Sequence, residues 1–215
     1  LKYIYITGDS FCFNRTSPTE HWPLILANNL GYELTGEGFP GCSWWPSRLD
    51  LIQYKNQHRT KFNNTDLFVF CHTEQSRMLG DKRTYFGSDE SISLKNEIRE
   101  FYLKHVYNEK VNQWAMLQWF NELNNIVADK NVIHLFCFKD TEIISSELNG
   151  TKFKPDLFSL SRRLGIKSRK NWVNCDSSPN HFSPYENMLL ASFLTKFIQN
   201  NSLHECANNY FQIKL

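Results

Sequence analysis

Two stretches constrain this chain more than any others. Asp66-Leu67-Phe68-Val69-Phe70-Cys71 and Val132-Ile133-His134-Leu135-Phe136-Cys137-Phe138 are apolar at nearly every position. A strand with one solvated face alternates apolar and polar residues, so a continuous apolar run predicts a strand covered on both faces. Sheets covered on both faces are mostly parallel, because parallel strands need crossover connections whose helices pack on the sheet. The two runs therefore predict an α/β domain.

The rest of the sequence supplies the alternation that such a domain needs. Lys2-Tyr3-Ile4-Tyr5-Ile6 predicts a first strand, ended by the turn Thr7-Gly8-Asp9-Ser10. Residues 22–31 read as a helix, with Pro23 in its first turn and Gly31 just past its end. A short strand is expected at 32–35, followed by the glycine-rich Gly36-Glu37-Gly38-Phe39-Pro40-Gly41. Residues 47–58 predict a second helix with Leu49, Ile52 and Gln53 facing inward. Between 94 and 128, Ile98, Phe101, Tyr102, Val106, Val111, Trp114, Leu117, Phe120, Leu123 and Val127 recur at helical spacing, with a break expected at 107–109. Residues 78–95 and 139–170 read as polar excursions, the second with a short helix at 157–164. Trp172-Val173-Asn174 is expected as a last short strand. Residues 184–199 predict a closing helix with Met188, Leu189, Phe193 and Phe197 inward. The expectation is one domain over residues 1–215, a three-layer α/β/α sandwich around a mainly parallel five-stranded sheet.

Composition narrows the function. Lys and Arg total 24 against 22 Asp and Glu, a net charge of +2, so the strongly basic face of a nucleic-acid partner is not expected. Hydrophobic residues at 41% and charged ones at 21% fit neither a disordered tail nor a membrane protein, and no run of 18 apolar residues predicts a membrane span. The six cysteines, at 12, 42, 71, 137, 175 and 206, form no Cys-x-x-Cys pair. That spacing argues against a structural zinc site and a dense disulfide framework, and the thiols are expected to be reduced. With no charged-then-apolar leader at the start, a cytoplasmic location is favoured. Sequons at Asn14, Asn63, Asn149 and Asn200 are no more than chance supplies. Aromatic residues reach 15%, and composition alone does not say whether they fill a core or line a site.

In open α/β sheets, sites form beyond the carboxyl ends of the strands. Ser10 follows the first strand, the turn ending at Gly41 follows the second, and His72-Thr73-Glu74-Gln75-Ser76-Arg77 follows the third. Asp176-Ser177-Ser178-Pro179-Asn180-His181 precedes the closing helix. A serine nucleophile needs an imidazole base, and the imidazole needs a carboxylate to hold its tautomer. All three groups occur at predicted strand ends. Trp44-Trp45 reads either as a platform for an acyl or sugar group or as core. Arg77 reads either as a clamp for an anionic substrate or as an ion-pair partner of Glu74.

The Gly8-Asp9-Ser10 turn, the Gly41 turn and the late Asp176…His181 pair together resemble the SGNH/GDSL hydrolases. The resemblance spans nearly the whole chain but rests on short blocks. It implies a flavodoxin-like α/β/α fold and hydrolysis of an acyl or O-acetyl ester, carbohydrate esters included, with no metal or organic cofactor. It implies Ser10 as nucleophile, His181 as base, Asp176 as acid, and an oxyanion hole from the N–H groups of Ser10 and Gly41. Two departures stand out. Where the family carries Gly-x-Asn-Asp, this chain has Thr73-Glu74-Gln75-Ser76, so the Gln75 amide takes the place of the usual Asn donor. The family's acid lies three residues before the His, a position held here by Ser178, whereas Asp176 lies five before. The alternative these departures leave is a catalytically degenerate carbohydrate-binding or structural module.

Overall fold

The computed structural model describes residues 1–12, 21–39, 43–73, 101–139, 145–163 and 182–214, with Ser10, Tyr102, Leu103, Arg162 and Arg163 described by backbone alone. Six strands form one sheet: β1 (Tyr3–Gly8), β2 (Glu33–Thr35), β3 (Thr65–His72), β4 (Asn131–Phe136), β5 (Thr151–Lys154) and β6 (Tyr210–Gln212). Their spatial order is β2-β1-β3-β4-β5-β6, and every neighbouring pair is parallel. The described helices are α1 (Trp22–Leu30), α2 (Trp45–Gln57), α3 (Arg59–Asn63), α4 (Glu109–Ile126), α5 (Leu157–Arg163) and α6 (Pro184–Asn200). They cover both faces of the sheet, as the two apolar runs predict.

Side chains alternate across a strand, and here the alternation sorts them by kind. Ile4, Ile6, Leu67, Val69, Cys71, Ile133, Leu135 and Cys137 meet α1, α5 and α6 through Trp22, Leu26, Leu157, Leu160, Leu190 and Leu194. On the opposite face Tyr5, Phe68, Phe70 and Phe136 meet α2, α3 and α4 through Leu51, Tyr54, Phe62, Trp119, Phe120 and Leu123. His72 and His134 lie among those rings, each stacked on Phe70.

The helix ends follow local chemistry. Gly31 closes α1 in the left-handed conformation, φ 70°, with its N–H on the Ala27 and Asn28 carbonyls. α6 begins with a reciprocal cap: Ser183 accepts from the Glu186 N–H while the Glu186 carboxylate accepts from the Ser183 N–H, and Pro184 occupies the first turn. Asn108 caps α4 and accepts from the Val111 N–H, so the expected break near 107–109 is where α4 starts.

Several expectations are corrected. Among the described residues the sheet has six strands where five were expected: β5 lies in the stretch read as loop, and β6 follows α6 where no strand was expected. On α2 the buried positions are Pro46, Ser47, Leu51 and Tyr54, while Leu49 and Gln53 are exposed. On α6, Leu190, Ala191 and Leu194 are inward and Met188 is exposed. Phe101, Val106, Val111 and Trp114 are exposed too, and the buried stretch of α4 begins at Met116. Periodicity marks an apolar stripe, but the neighbouring elements decide which turns of it find a partner. The polar excursion at 78–95 and the strand expected at 172–174 lie outside the described residues.

Candidate functional site

The strand order reverses between β1 and β3: the connection from β1 leads outward to β2, and the chain then returns to β1's other side. In a doubly wound sheet that switch leaves a crevice at the carboxyl ends of the two strands. Gly8 ends β1 with φ 143°, a conformation that L side chains rarely adopt, and an added Cβ would stand 2.1 Å from the Cys71 carbonyl oxygen. The glycine thus lets β1 stay paired with β3 up to its own last residue, Gly8 opposite Cys71. Asp9 donates its N–H to the Cys71 carbonyl at 3.1 Å. Thr73, just past β3, donates its hydroxyl to Asp9 Oδ2 at 3.1 Å. Asp9 is therefore buried and bound across the switch point. Ser10–Cys12 then form one 3-10 turn, with the Cys12 N–H on the Asp9 carbonyl at 3.0 Å.

The segment after β2 is drawn to the same place. Gly38 bridges Gly8, and the Phe39 N–H donates to the Gly8 carbonyl at 2.7 Å. Above the strand ends lies a cleft of about 10 Å³, room for about one water. Gly8, Thr73, His72, Ser43, Trp44 and Trp119 are among the residues that line it. Trp44 is buried and stacks on Trp119, centroids 6.1 Å apart at 5°, so the wall beside the cleft is rigid and aromatic. Trp45 is half-buried, with the Arg48 guanidinium 4.7 Å over its ring and that guanidinium held by Glu122 through two hydrogen bonds, 2.6 and 2.9 Å.

From His72, on the lining of this cleft, the imidazoles form a directed chain. His134 Nε2 lies 3.0 Å from the Asn149 carbonyl oxygen, which only accepts, so Nε2 carries the proton. His134 Nδ1 is then an acceptor, and His72 Nε2–H donates to it at 2.9 Å. Burial pushes the His72 imidazole well below its ordinary value, with the neighbouring His134 adding to it. Burial pushes His134 down to about 4; the Asn149 carbonyl opposes this and Lys152 adds to it. Both rings are neutral at neutral pH, and the network leaves His72 Nδ1 unprotonated.

Of the residues singled out by sequence, the structure places Ser10 by its backbone, in the turn directly after β1. Trp44 lies in the cleft wall and Trp45 beside it. Gly41, Gln75, Arg77, Asp176 and His181 lie outside the described residues. Cys12, Cys71, Cys137 and Cys206 are free thiols. Among the described residues no cluster of His, Cys, Asp and Glu could hold a metal, and no helix is long and apolar enough to cross a membrane.

Sequence reasoning missed a brace between distant segments. The Trp22 indole N–H donates to the Phe11 carbonyl at 2.7 Å, and the Trp22 backbone N–H donates to Asn187 Oδ1 at 3.1 Å. The Asn187 amide in turn donates to the Phe182 and Ser183 carbonyls, both at 3.1 Å. Phe11 and Phe182 close the brace with ring centroids 5.3 Å apart. A signal was present: Asn187 shares the helical stripe of Leu190, Ala191 and Leu194, and a buried amide on an apolar stripe must have partners.

No protein-family model matches this chain, and no curated protein matches it. Solved structures that match it include an acetyl xylan esterase from the rumen bacterium Butyrivibrio proteoclasticus, at 11% identity over 93% of this chain and 63% of that one, TM-score 0.49. A family two carbohydrate esterase from Clostridium thermocellum, in complex with cellohexaose, matches at 13% identity over 93% and 64%, TM-score 0.46. A carbohydrate esterase family 2 enzyme with a carbohydrate binding domain, from Corynascus thermopiles, matches at 13% over 91% and 64%, TM-score 0.41. This chain spans a little under two thirds of the length of these esterase chains. At such identities and scores the likenesses carry no argument about the chemistry of this chain.

Proposed function

We propose that the chain is a serine esterase of the SGNH/GDSL type, acting on an acyl or O-acetyl ester of a small molecule or carbohydrate. In this reading His181 Nε2 takes the proton of Ser10 Oγ as the oxygen attacks the ester carbonyl, and Asp176 holds the imidazole. The N–H groups of Ser10 and Gly41 and the Gln75 amide stabilise the tetrahedral oxyanion. Collapse expels the alcohol, which leaves with the proton from His181. Water, deprotonated by the same imidazole, then releases the acid and restores Ser10. Trp44 and Trp45 flank the acyl or sugar group, Arg77 contacts the substrate, and no cofactor takes part.

The observation that carries the reading is the brace. Phe11 is the residue after Ser10, Phe182 is the residue after His181, and their rings pack 5.3 Å apart. Hydrogen bonds through Trp22 and Asn187 fix the backbone on both sides. Phe11 and Phe182, the sequence neighbours of the proposed nucleophile and base, are thereby tied together, which supports bringing the two groups to the crevice where an α/β site belongs. A fluorophosphonate probe tests it: the wild type is expected to label stoichiometrically and to turn over small acetyl esters, and Ser10→Ala to do neither. A folded wild type that neither labels nor turns over ester would overturn the esterase reading in favour of a non-catalytic module.

A further inference from the structure

A second cavity lies away from the strand ends, where the middle of β1 and the end of β2 face α2. It measures about 230 Å³, large enough for a small organic molecule, and Tyr5, Thr35, Asp50, Gln53, Tyr54 and Lys61 line it. Proton accounting defines what it offers. The Tyr5 hydroxyl donates to Asp50 Oδ2 at 2.5 Å. Thr65 donates to the Lys61 carbonyl at 2.8 Å, so its oxygen receives the Tyr54 hydroxyl proton at 2.9 Å. Thr35 has one proton to share between the Ile4 carbonyl at 3.1 Å and the Tyr54 oxygen at 3.3 Å. Every hydroxyl proton is spent within the protein.

Lone pairs remain. Among the described residues nothing donates to Asp50 Oδ1, and Gln53 uses its amide N–H on Gln57 Oε1, leaving its own oxygen open. Of the two basic side chains on the lining, Lys61 is paired with Glu33 at 3.1 Å, and the His58 ring lies against Tyr54, centroids 6.1 Å apart. The Asp50 carboxyl is pushed above its ordinary value by burial first, and the nearby Glu37 charge adds to this against the Tyr5 hydrogen bond. A second positive charge beside Oδ1 would relieve that cost.

We propose that this cavity is a binding site for a small primary ammonium ligand, whose three N–H donors meet Asp50 Oδ1, the Gln53 oxygen and a lone pair of the Tyr54 or Thr35 hydroxyl. Charge-assisted bonds to a partly buried carboxylate select the ammonium over a neutral alcohol of the same size. The site stands apart from the esterase reading, because it uses none of the residues assigned to that reaction.

Calorimetric titration of the full chain with 2-aminoethanol tests it, with ethylene glycol as the uncharged control. Saturable binding of 2-aminoethanol in the millimolar range is expected for so small a ligand, and none for the glycol. Asp50→Asn keeps an oxygen for the Tyr5 hydroxyl and is expected to weaken binding about tenfold or more. Gln53→Glu, at an exposed position, adds a charge and is expected to tighten binding about threefold. No saturable binding to the wild type, equal binding of the glycol, or an affinity unchanged in both variants would overturn the proposal. The readout is binding rather than turnover, so a negative result here leaves the esterase reading intact, and an inactive enzyme leaves this one intact.

Discussion

The two faces of the sheet are built from the same strands, yet they bury different chemistry. Toward α1, α5 and α6 the strands present aliphatic side chains and thiols. Toward α2, α3 and α4 they present rings, and two of the rings are imidazoles bound to each other. The first face holds the layers together by area and shape. The second holds them by area plus an ordered polar chain that ends at the Asn149 carbonyl. Stability that depends on pH should therefore come from one face, and stability lost by truncation alone from the other.

The largest effect is expected on the apolar face. Leu194→Ala empties a fully buried position and should cost about 3 kcal/mol, read by urea unfolding, with the same loss at pH 7 and pH 5. A loss that changed with pH would break the comparison. The ring face should give the next largest. His134 falls from 6.5 to about 4 on folding, so the unfolded chain binds the proton first as pH drops. This contribution is complete above pH 6.5 and disappears as pH falls toward 4, at a rate of roughly 2 kcal/mol between pH 6.5 and pH 5. His72 shifts in the same direction and adds to the slope. In His134→Gln the slope should shrink; an unchanged slope would assign the titration elsewhere. The smallest effect is expected in the partly exposed helix layer over the ring face, where Arg48 of α2 grips Glu122 of α4. Arg48→Met should cost less than about 1 kcal/mol, and the difference from the wild type should narrow as salt is raised.

The parts of the fold that were legible in the sequence are those with a strong local signature. Phe68 and Phe70 sit in a run too apolar for any strand but a central one, and Pro23 with Gly31 bounds α1 unambiguously. β5 was illegible because Thr151-Lys152-Phe153-Lys154 is short and half lysine. Lys152 is nevertheless buried, its ammonium 5.3 Å from the Tyr210 ring, and it is a strand residue because β4 and β6 pair with it on either side. Leu49 and Met188 were misplaced for the converse reason: an apolar residue at helical spacing is buried only if a neighbour is there to bury it. At the site, Ser10 and the glycine turn were readable as punctuation after strands. The Trp22–Asn187 brace was not, since its hydrogen bonds join residues with no local pattern in common. His72 and His134 were visible as types, but their pairing needed the β3–β4 register, which sets Phe70 opposite His134 and His72 opposite Phe136.

The brace also sets an order of events in synthesis. Trp22 and Asn187 are 165 residues apart, and the amide that orients the Trp22 side of the strand-end turn belongs to the last long helix. At ribosomal speeds of roughly 5–20 residues per second, the turn after β1 waits on the order of 10–30 s for its partner to be made. During that interval β1, β3 and β4 can already have paired, while the turn carrying Ser10 lacks the contacts that tie it to the segment before α6. A nascent chain can therefore pair β1, β3 and β4 well before it acquires this junction, and a ribosome stalled short of α6 would hold a chain without it.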